Sequence, residues 1–332
     1  MNMTVTHLLD DATPGGVTRV IEGLQSSETL GKQAKHELQM VANRGRWPVF
    51  HSEVIVSHLA LNWRNLPTLM TLRAQHPHAA LIHVEHSYTQ RFTALNVSNR
   101  DRFYTLLRTA YALFDQVVCV SRAQGSWMAT RALVDAPKLR IIRSSVALDE
   151  LANLPAPKGN PHVLGLIGRL HVQKGFDQAI AAFQKLEDPD LRLKIFGTGN
   201  EQKALVAQAG SDPRITFEGF CETAKAMAQI DALVVPSRWE AFGLVAQEAL
   251  AAGRAVLVAP VDGLLDQIQD GAQSLTGVGI ASLSTDMKRL VECPVPNATQ
   301  NRPKLARLNQ QRFENGWLQL IEDMTVKHMA AA

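Results

Sequence analysis

The chain has 332 residues, 46% hydrophobic and 20% charged, with a formal net charge of +3 at pH 7. That length exceeds what one core usually organises and that composition excludes disordered and fibrous classes, so two globular domains of roughly 150 residues each are expected. There is no Lys/Arg block to suggest nucleic acid, no apolar run near the ~18 residues of a membrane span, and no leader-like pattern before Asp11.

The first half alternates strand-like and helix-like runs. Val5 to Leu9, Glu37 to Ala42, Glu53 to His58, Ala80 to Glu85, Gln116 to Val120 and Leu139 to Arg143 read as strands. Gly16 to Gln25, Leu66 to His76, Arg102 to Phe114 and Arg122 to Leu133 read as the helices between them. That rhythm predicts βαβ units and a parallel sheet. In the run from Pro155 to Pro161, three prolines and a glycine cannot hold a helix or an interior strand, which predicts a linker. The alternation then restarts. Strands are expected at His162 to Ile167, Arg192 to Phe196, Ile215 to Glu218, Ala232 to Val235 and Ala255 to Val258, with helices near Phe176 to Leu186, Glu201 to Ala209, Thr223 to Gln229 and Leu244 to Ala252. After Cys293-Pro294-Val295-Pro296, a last helix over Lys304 to Lys327 carries Leu308, Phe313, Trp317, Leu320 and Ile321 near helical spacing.

The expected organisation is therefore a first Rossmann-like domain over 1–154, a linker over 155–161, a second over 162–303, and a C-terminal helix and tail over 304–332. Two such doubly wound halves place ligands beyond the carboxyl ends of their strands, so the chemistry belongs in the βα loops.

Two loops stand out. The first runs from Gly165 through Gly168-Arg169-Leu170 to Lys174-Gly175, a strand entering a glycine turn ahead of a helix. Glycine permits close backbone approach, the helix start offers unpaired N–H groups, Arg169 suits bidentate phosphate contact and Lys174 acts as a point charge. The alternative is a basic turn before a helix. The second runs from Pro236 to Leu250, with Glu240 in the loop and Glu248 about a turn and a half into the next helix. Two acids cannot hold a phosphate, but they accept hydrogen bonds from ribose or hexose hydroxyls. The amides of Phe242, Gly243 and Leu244 lie between them as donors. Alternatively, Glu240 is a charge near a helix N-terminus and Glu248 an exposed helical residue.

Taken together, Gly168-Arg169-Leu170, Lys174-Gly175, Gly197-Thr198-Gly199, the Glu240/Glu248 pair and Ala252-Gly253 resemble family 4 retaining glycosyltransferases of GT-B fold. The resemblance covers the second half closely. It extends to the first through Gly15-Gly16 and Val118-Cys119-Val120-Ser121. It implies two Rossmann-like domains facing a cleft, with the C-terminal helix crossing back to the first. It also implies that Arg169 and Lys174 bind the donor diphosphate, that Glu248 binds the ribose, and that Glu240 contacts the donor sugar. By the same resemblance Gly197 lines the donor site, Phe242, Gly243 and Leu244 hold sugar hydroxyls, and Ile215 to Phe220 with Cys221 borders the base. Gly15 and Gly16 would close on the diphosphate, and His86, ending an apparent strand, would face the donor sugar. A strand-end histidine is also commonly a satisfied structural group. Arg91 and Trp63 sit in loops within reach of an acceptor or merely of solvent.

The implied reaction moves a hexose from a nucleoside diphosphate sugar, UDP-sugars ahead of GDP-sugars, to a glycan, lipid-linked or small-molecule hydroxyl. It proceeds with retention and needs neither cofactor nor metal. Bacterial surface polysaccharide or glycolipid synthesis is the implied setting, in the cytoplasm, with peripheral contact at the inner membrane face compatible with a pI near 8.8. Nucleic acid is not an expected partner. Ser144-Ser145-Val146 departs from the family's asparagine-glycine-valine turn, and Asp188-Pro189-Asp190 reads as a turn and not as a metal motif. Cys119, Cys221 and Cys293 lack ligand spacing and read as structural thiols. Three rivals use the same architecture: a sugar epimerase or phosphorylase, a solute-binding protein, and a non-catalytic nucleotide-sugar-binding partner subunit.

Overall fold

The computed structural model describes residues 3–11, 13, 15–277, 279–292 and 302–331. Cys293 and the prolines after it lie outside them. The chain divides into two compact units, Met1–Val146 with Asn309–Ala332, and Ala147–Leu308.

The first unit is built from β1 (Met3–Leu9), α1 (Gly16–Ser26), α2 (Glu28–Gly31), β2 (Ala34–Met40), β3 (Val54–Ser57), α3 (Leu66–Gln75), β4 (Ala80–Glu85), α4 (Gln90–Asn96), α5 (Arg100–Ala112), β5 (Gln116–Cys119), α6 (Arg122–Thr130) and β6 (Leu139–Ile141). Its sheet has the order β2-β1-β3-β4-β5-β6, and every neighbouring pair is parallel. Parallel strands need helical crossovers on the faces, so interior strands are buried on both sides and read as continuous apolar runs. β3, β4 and β5 are buried at every residue. β2 lies at the edge, where Ala34 and His36 point inward and Lys35 and Glu37 outward. The strand therefore starts three residues before the expected Glu37, because its register is set by full pairing with β1, from Met3 opposite Ala34 to Leu9 opposite Met40. One core includes Leu107, Tyr111, Phe114, Trp127 and Met128.

The second unit follows with α7 (Asp149–Ala152), β7 (Val163–Ile167), α8 (Phe176–Phe183), β8 (Arg192–Phe196), α9 (Gln202–Ala209), β9 (Ile215–Gly219), α10 (Thr223–Met227), β10 (Ala232–Val235), α11 (Leu244–Ala251), β11 (Ala255–Val258), α12 (Leu264–Gln269), β12 (Gln273–Ser274) and α13 (Ile280–Glu292). Its order is β12-β11-β10-β7-β8-β9, again all parallel. Numbered from its own first strand, this is the doubly wound order 3-2-1-4-5-6, in which winding reverses between β7 and β10. The division between the units falls after Val146, ahead of the Pro155 to Pro161 run expected to carry it. The reason is local: α7 packs on α10 and α11, and Arg254 Nη1 donates to the Pro155 carbonyl at 2.8 Å. Residues from α7 to Pro155 are thereby tied into the second unit.

The last helix, α14 (Arg302–Ala331), belongs to the first unit from Asn309 onward. Phe313, Trp317, Leu320, Ile321 and Met324 are buried, whereas Leu308, expected in the same stripe, is exposed. Glu314 accepts from Ser27 Oγ at 2.7 Å and Asp323 pairs with Arg140 at 3.1 Å, which fixes the helix to α2 and β6. Among the described residues, no helix is long and apolar enough to cross a membrane.

Candidate active site

In the second unit the loops after β7 and β8 lie backbone against backbone. Gly168 N–H donates to the Phe196 carbonyl at 3.0 Å, and Leu170 N–H to the Thr198 carbonyl at 2.9 Å. A Cβ on Gly197, whose φ is +133°, would stand 1.9 Å from the Gly168 carbonyl oxygen, and one on Gly199 would stand 2.3 Å from that of Leu170. These glycines are demanded by loop packing, a reason independent of any ligand. Gly175, at φ +67°, does the same against Pro236, whose carbonyl oxygen would be 2.2 Å from an added Cβ. The β7 loop is thus clamped to the β10 loop, as the adjacency of those strands requires.

That clamp brings two predicted site residues together. Lys174 Nζ and Glu240 Oε2 are 2.5 Å apart with both side chains largely buried. Ser237 Oγ donates to the same carboxylate oxygen at 3.4 Å, and the Glu240 backbone N–H reaches Asp262 Oδ2 at 3.3 Å. Beside them Arg238 makes a bidentate pair with Asp177 at 2.9 and 2.6 Å, and Arg238 Nη1 also donates to the Val172 carbonyl. Burial alone would raise the Asp177 pKa, but the Arg238 guanidinium outweighs it and holds the carboxyl below its ordinary range. This pair fixes the Lys174 turn to the Glu240 loop. Arg169, on the same loop as Lys174, is exposed and engages no carboxylate among the described residues.

Gly243 caps α11 at φ +86°, and neither its amide nor that of Leu244 is taken up by the turn. Phe242 is buried and its carbonyl accepts from Gln267 Nε2 at 3.2 Å. Glu248 is 1% exposed, so the alternative of an exposed helical acid is overturned: the face of α11 that carries it packs inward. Glu240 lies four residues before the helix, its Cγ 3.5 Å from where a Cβ on the cap residue Gly243 would stand, so it is a charge near the helix N-terminus as well as the partner of Lys174. Phe220 follows Gly219, at φ +70°, and is 71% exposed at the end of β9. Asp188 Oδ1 accepts the Asp190 N–H at 2.9 Å, the turn its spacing suggests.

In the first unit Gly15 is the extended residue capping α1 and Gly16 opens the helix; an added Cβ at Gly15 meets only ordinary contact, so packing does not require glycine there. Both stand at the carboxyl end of β1. His86 stands just past β4, and its Nε2 lies 2.9 Å from His58 Nδ1. Sequence reading missed His58, His7 and His36, which extend this contact, along with Ser237 and Asp262. The only signal was a histidine at the end of one strand run, His58, and one directly after the next, His86. Trp63 is 42% exposed with the Arg102 guanidinium 5.7 Å over its ring. Cys119 is buried with its thiol donating to the Arg140 carbonyl.

Residues 150–308 match the family described as glycosyl transferases group 1. The matched residues lie within the second unit. The chain is 35% identical over 164 residues to a glycogen synthase of Mycobacterium tuberculosis, covering 46% of this chain and 38% of that protein. It is 34% identical over 149 residues to a 2-deoxystreptamine glucosyltransferase of Streptomyces kanamyceticus, covering 42% of this chain and 38% of that one. The chain therefore spans well under half the length of these curated relatives. Solved structures extend the likeness to the whole chain. HepE of Anabaena, in complex with UDP and glucose, superposes with a TM-score of 0.73 at 19% identity, covering 98% of this chain and 100% of that one. Sucrose-phosphate synthase of Thermosynechococcus elongatus gives 0.74 at 19% identity over all of both chains. The fold is GT-B. In the second unit, the Lys174–Glu240 pair occupies the point where the winding of the sheet reverses, which is where open α/β sheets take their ligands.

Proposed function

We propose that the chain is a retaining glycosyltransferase that moves a hexose from a nucleoside diphosphate sugar, a UDP-sugar in preference to a GDP-sugar, to an acceptor hydroxyl. The observation that carries this reading is the Lys174–Glu240 pair at the β7/β10 switch point, with Arg169 exposed on the same loop. A lysine has three donors, so Lys174 serves a carboxylate and an incoming phosphate oxygen at once. Arg169 adds a planar cation for the diphosphate. Glu240, held in place by Lys174, accepts from donor-sugar hydroxyls, and the amides of Gly243 and Leu244 donate to them. Glu248 accepts from the ribose, and Phe220 and Gly197 border the nucleotide. On the first unit we assign Gly15 and Gly16 to the diphosphate and His86 to the donor sugar.

In the proposed reaction the bond from the sugar C1 to the phosphate oxygen breaks and the acceptor oxygen bonds to C1 on the same face. The leaving diphosphate keeps the electron pair and takes up the acceptor proton. The protein contributes charge stabilisation of that leaving group, and no cofactor or divalent metal enters the scheme. UDP is favoured because HepE is a UDP complex. The acceptor is a glycan, lipid-linked or small-molecule hydroxyl in surface polysaccharide or glycolipid synthesis, with the enzyme in the cytoplasm, at most peripheral to the membrane.

Calorimetric titration with UDP, GDP, ADP and CMP, followed by transfer assays with the matching sugars over a broad acceptor panel, tests this. UDP binds tightest, transfer retains the anomeric configuration and EDTA leaves the rate unchanged. Nucleotide binding with no transfer would instead favour a silent subunit. Turnover without acceptor, or dependence on inorganic phosphate, would favour an epimerase or phosphorylase.

A further inference from the structure

Four histidines form one hydrogen-bonded file across four strands of the first unit. His36 Nδ1 lies 2.9 Å from His7 Nε2, His7 Nδ1 lies 2.9 Å from His58 Nε2, and His58 Nδ1 lies 2.9 Å from His86 Nε2. The strand registers show why they meet. His36 is level with Val5, two residues before His7; His7 is level with Val56, two before His58; and Ser57, level with His83, places His58 two residues short of His86. Each step is the diagonal neighbour two along on the same face, so the file runs obliquely from inside β2 to the carboxyl edge of β4. Successive rings are 5.2 Å apart, and Trp317 of α14 packs edge-on against His7 at 6.0 Å.

The two ends of the file differ. At the inner end His36 Nε2 is buried and meets no hydrogen-bond partner. At the outer end His86 is half-buried, with Nε2 taken by His58 and Nδ1 making no hydrogen bond among the described residues. The adjacent Glu85 carboxylate is committed elsewhere: it accepts from Ser87 N–H, Tyr88 N–H and Tyr111 Oη at 2.8, 3.0 and 2.8 Å, and meets His83 Nε2 at 3.5 Å.

In a file of neutral imidazoles each ring has one N–H and one bare nitrogen, so all three links must point the same way. If they pointed inward, His36 Nε2 would carry a buried N–H with no acceptor, and orphaned buried N–H groups are rarer in native structures than unfilled acceptors. Pointing outward, that nitrogen is bare, each Nδ1–H donates to the next Nε2, and His86 is left with its proton on Nδ1. We propose that His36, His7 and His58 are positioning residues that lock His86 as the Nδ1–H tautomer, a neutral hydrogen-bond donor aimed at an oxygen of the substrate. The identity of that oxygen, on the donor sugar, rests on the transferase reading above; the tautomer does not.

The test separates the two. In protein labelled with 15N at histidine, long-range 1H–15N correlation at pH 7.5 without substrate reports which ring nitrogen of His86 carries the proton. Nδ1–H is the expected result; Nε2–H in the unaltered protein overturns the proposal, whatever the activity. His58→Phe removes the donor to His86 and should release the Nδ1–H state. His58→Asn places an amide N–H where Nδ1–H stood and should keep it. With UDP-glucose as donor, His58→Phe lowers kcat/KM by roughly tenfold or more, as when the partner orienting a ligating histidine is lost, and His58→Asn restores most of it. If both variants lose activity equally while differing in tautomer, the file sets the tautomer but His86 does not contact the sugar, and it is the transferase assignment of His86 that falls. If neither variant alters the tautomer, the positioning role is refuted.

Discussion

At the scale of single residues, two kinds of glycine look alike in the sequence and differ in cost. Gly197 holds a positive φ with a carbonyl 1.9 Å from the place its Cβ would take, so Gly197→Ala must move the β7 loop. Strain and overpacking together predict a loss of roughly 2–5 kcal/mol of stability. Gly23, within α1, has nothing within 4 Å, and Gly23→Ala should gain about 0.5–1 kcal/mol by restricting the unfolded chain. Urea midpoints of both variants read the contrast directly; equal shifts would mean that the loop packing is not as described. Lys174→Ala removes both a phosphate contact and the partner of Glu240. A fall in turnover of order 10² to 10³-fold is expected, as for the loss of an oxyanion donor. Near-normal turnover of that variant would remove Lys174 from the site.

At the scale of elements, periodicity showed the strands that are buried on both faces and the helices with an apolar stripe. It failed for β12, two residues long at a sheet edge, and for α2, α4, α7, α12 and α13, whose placement depends on what they pack against. It also placed β2 late, since an edge strand shows its pairing in register and not in hydrophobicity. The helix α14 was legible by its stripe, and its anchoring in the first unit gives that stripe a consequence. Trp317, 2% exposed and packed against Phe313 and His7, is predicted to cost about 3–5 kcal/mol when replaced by alanine, measured by denaturant unfolding. A cost below 1 kcal/mol would show that the helix end is not part of this core.

At the scale of the whole molecule, the two units should respond differently to acid. Burial lowers the pKa of His7 to about 3 and those of His36 and His86 to about 4, and holds His58 well below 6.5, where burial is reinforced by the neighbouring histidines. Folded, these rings stay neutral; unfolded, they take up protons below about pH 6.5. The unfolded state therefore binds more protons through this window. The stability is fully present above about pH 6.5 and declines as the pH falls towards the folded values near 4, by up to about 1.4 kcal/mol per pH unit for each histidine. In the second unit the Asp177 and Asp212 pKa values are lowered from 3.8, so the contribution of these two is lost only below that value. Hydrogen exchange between pH 7 and 5 should thus show faster opening in peptides from β1 to β4 and little change around β7 to β11, after correction for intrinsic exchange. Parallel changes in both units would contradict this division.

The sequence alone determined the alternation of strand and helix, the parallel sheets that it forces, and the two loops with their cations and acids, because each of these is written in local spacing. The tertiary structure decided that Lys174 and Glu240, far apart in the chain, form one ion pair, since only the adjacency of β7 and β10 joins their loops. It decided that Gly197 answers to a neighbouring carbonyl and that Glu248 faces inward. It also decided that four histidines spread from position 7 to position 86 make a single file, because a file across strands is set by register, and register comes from pairing that no local run of residues records.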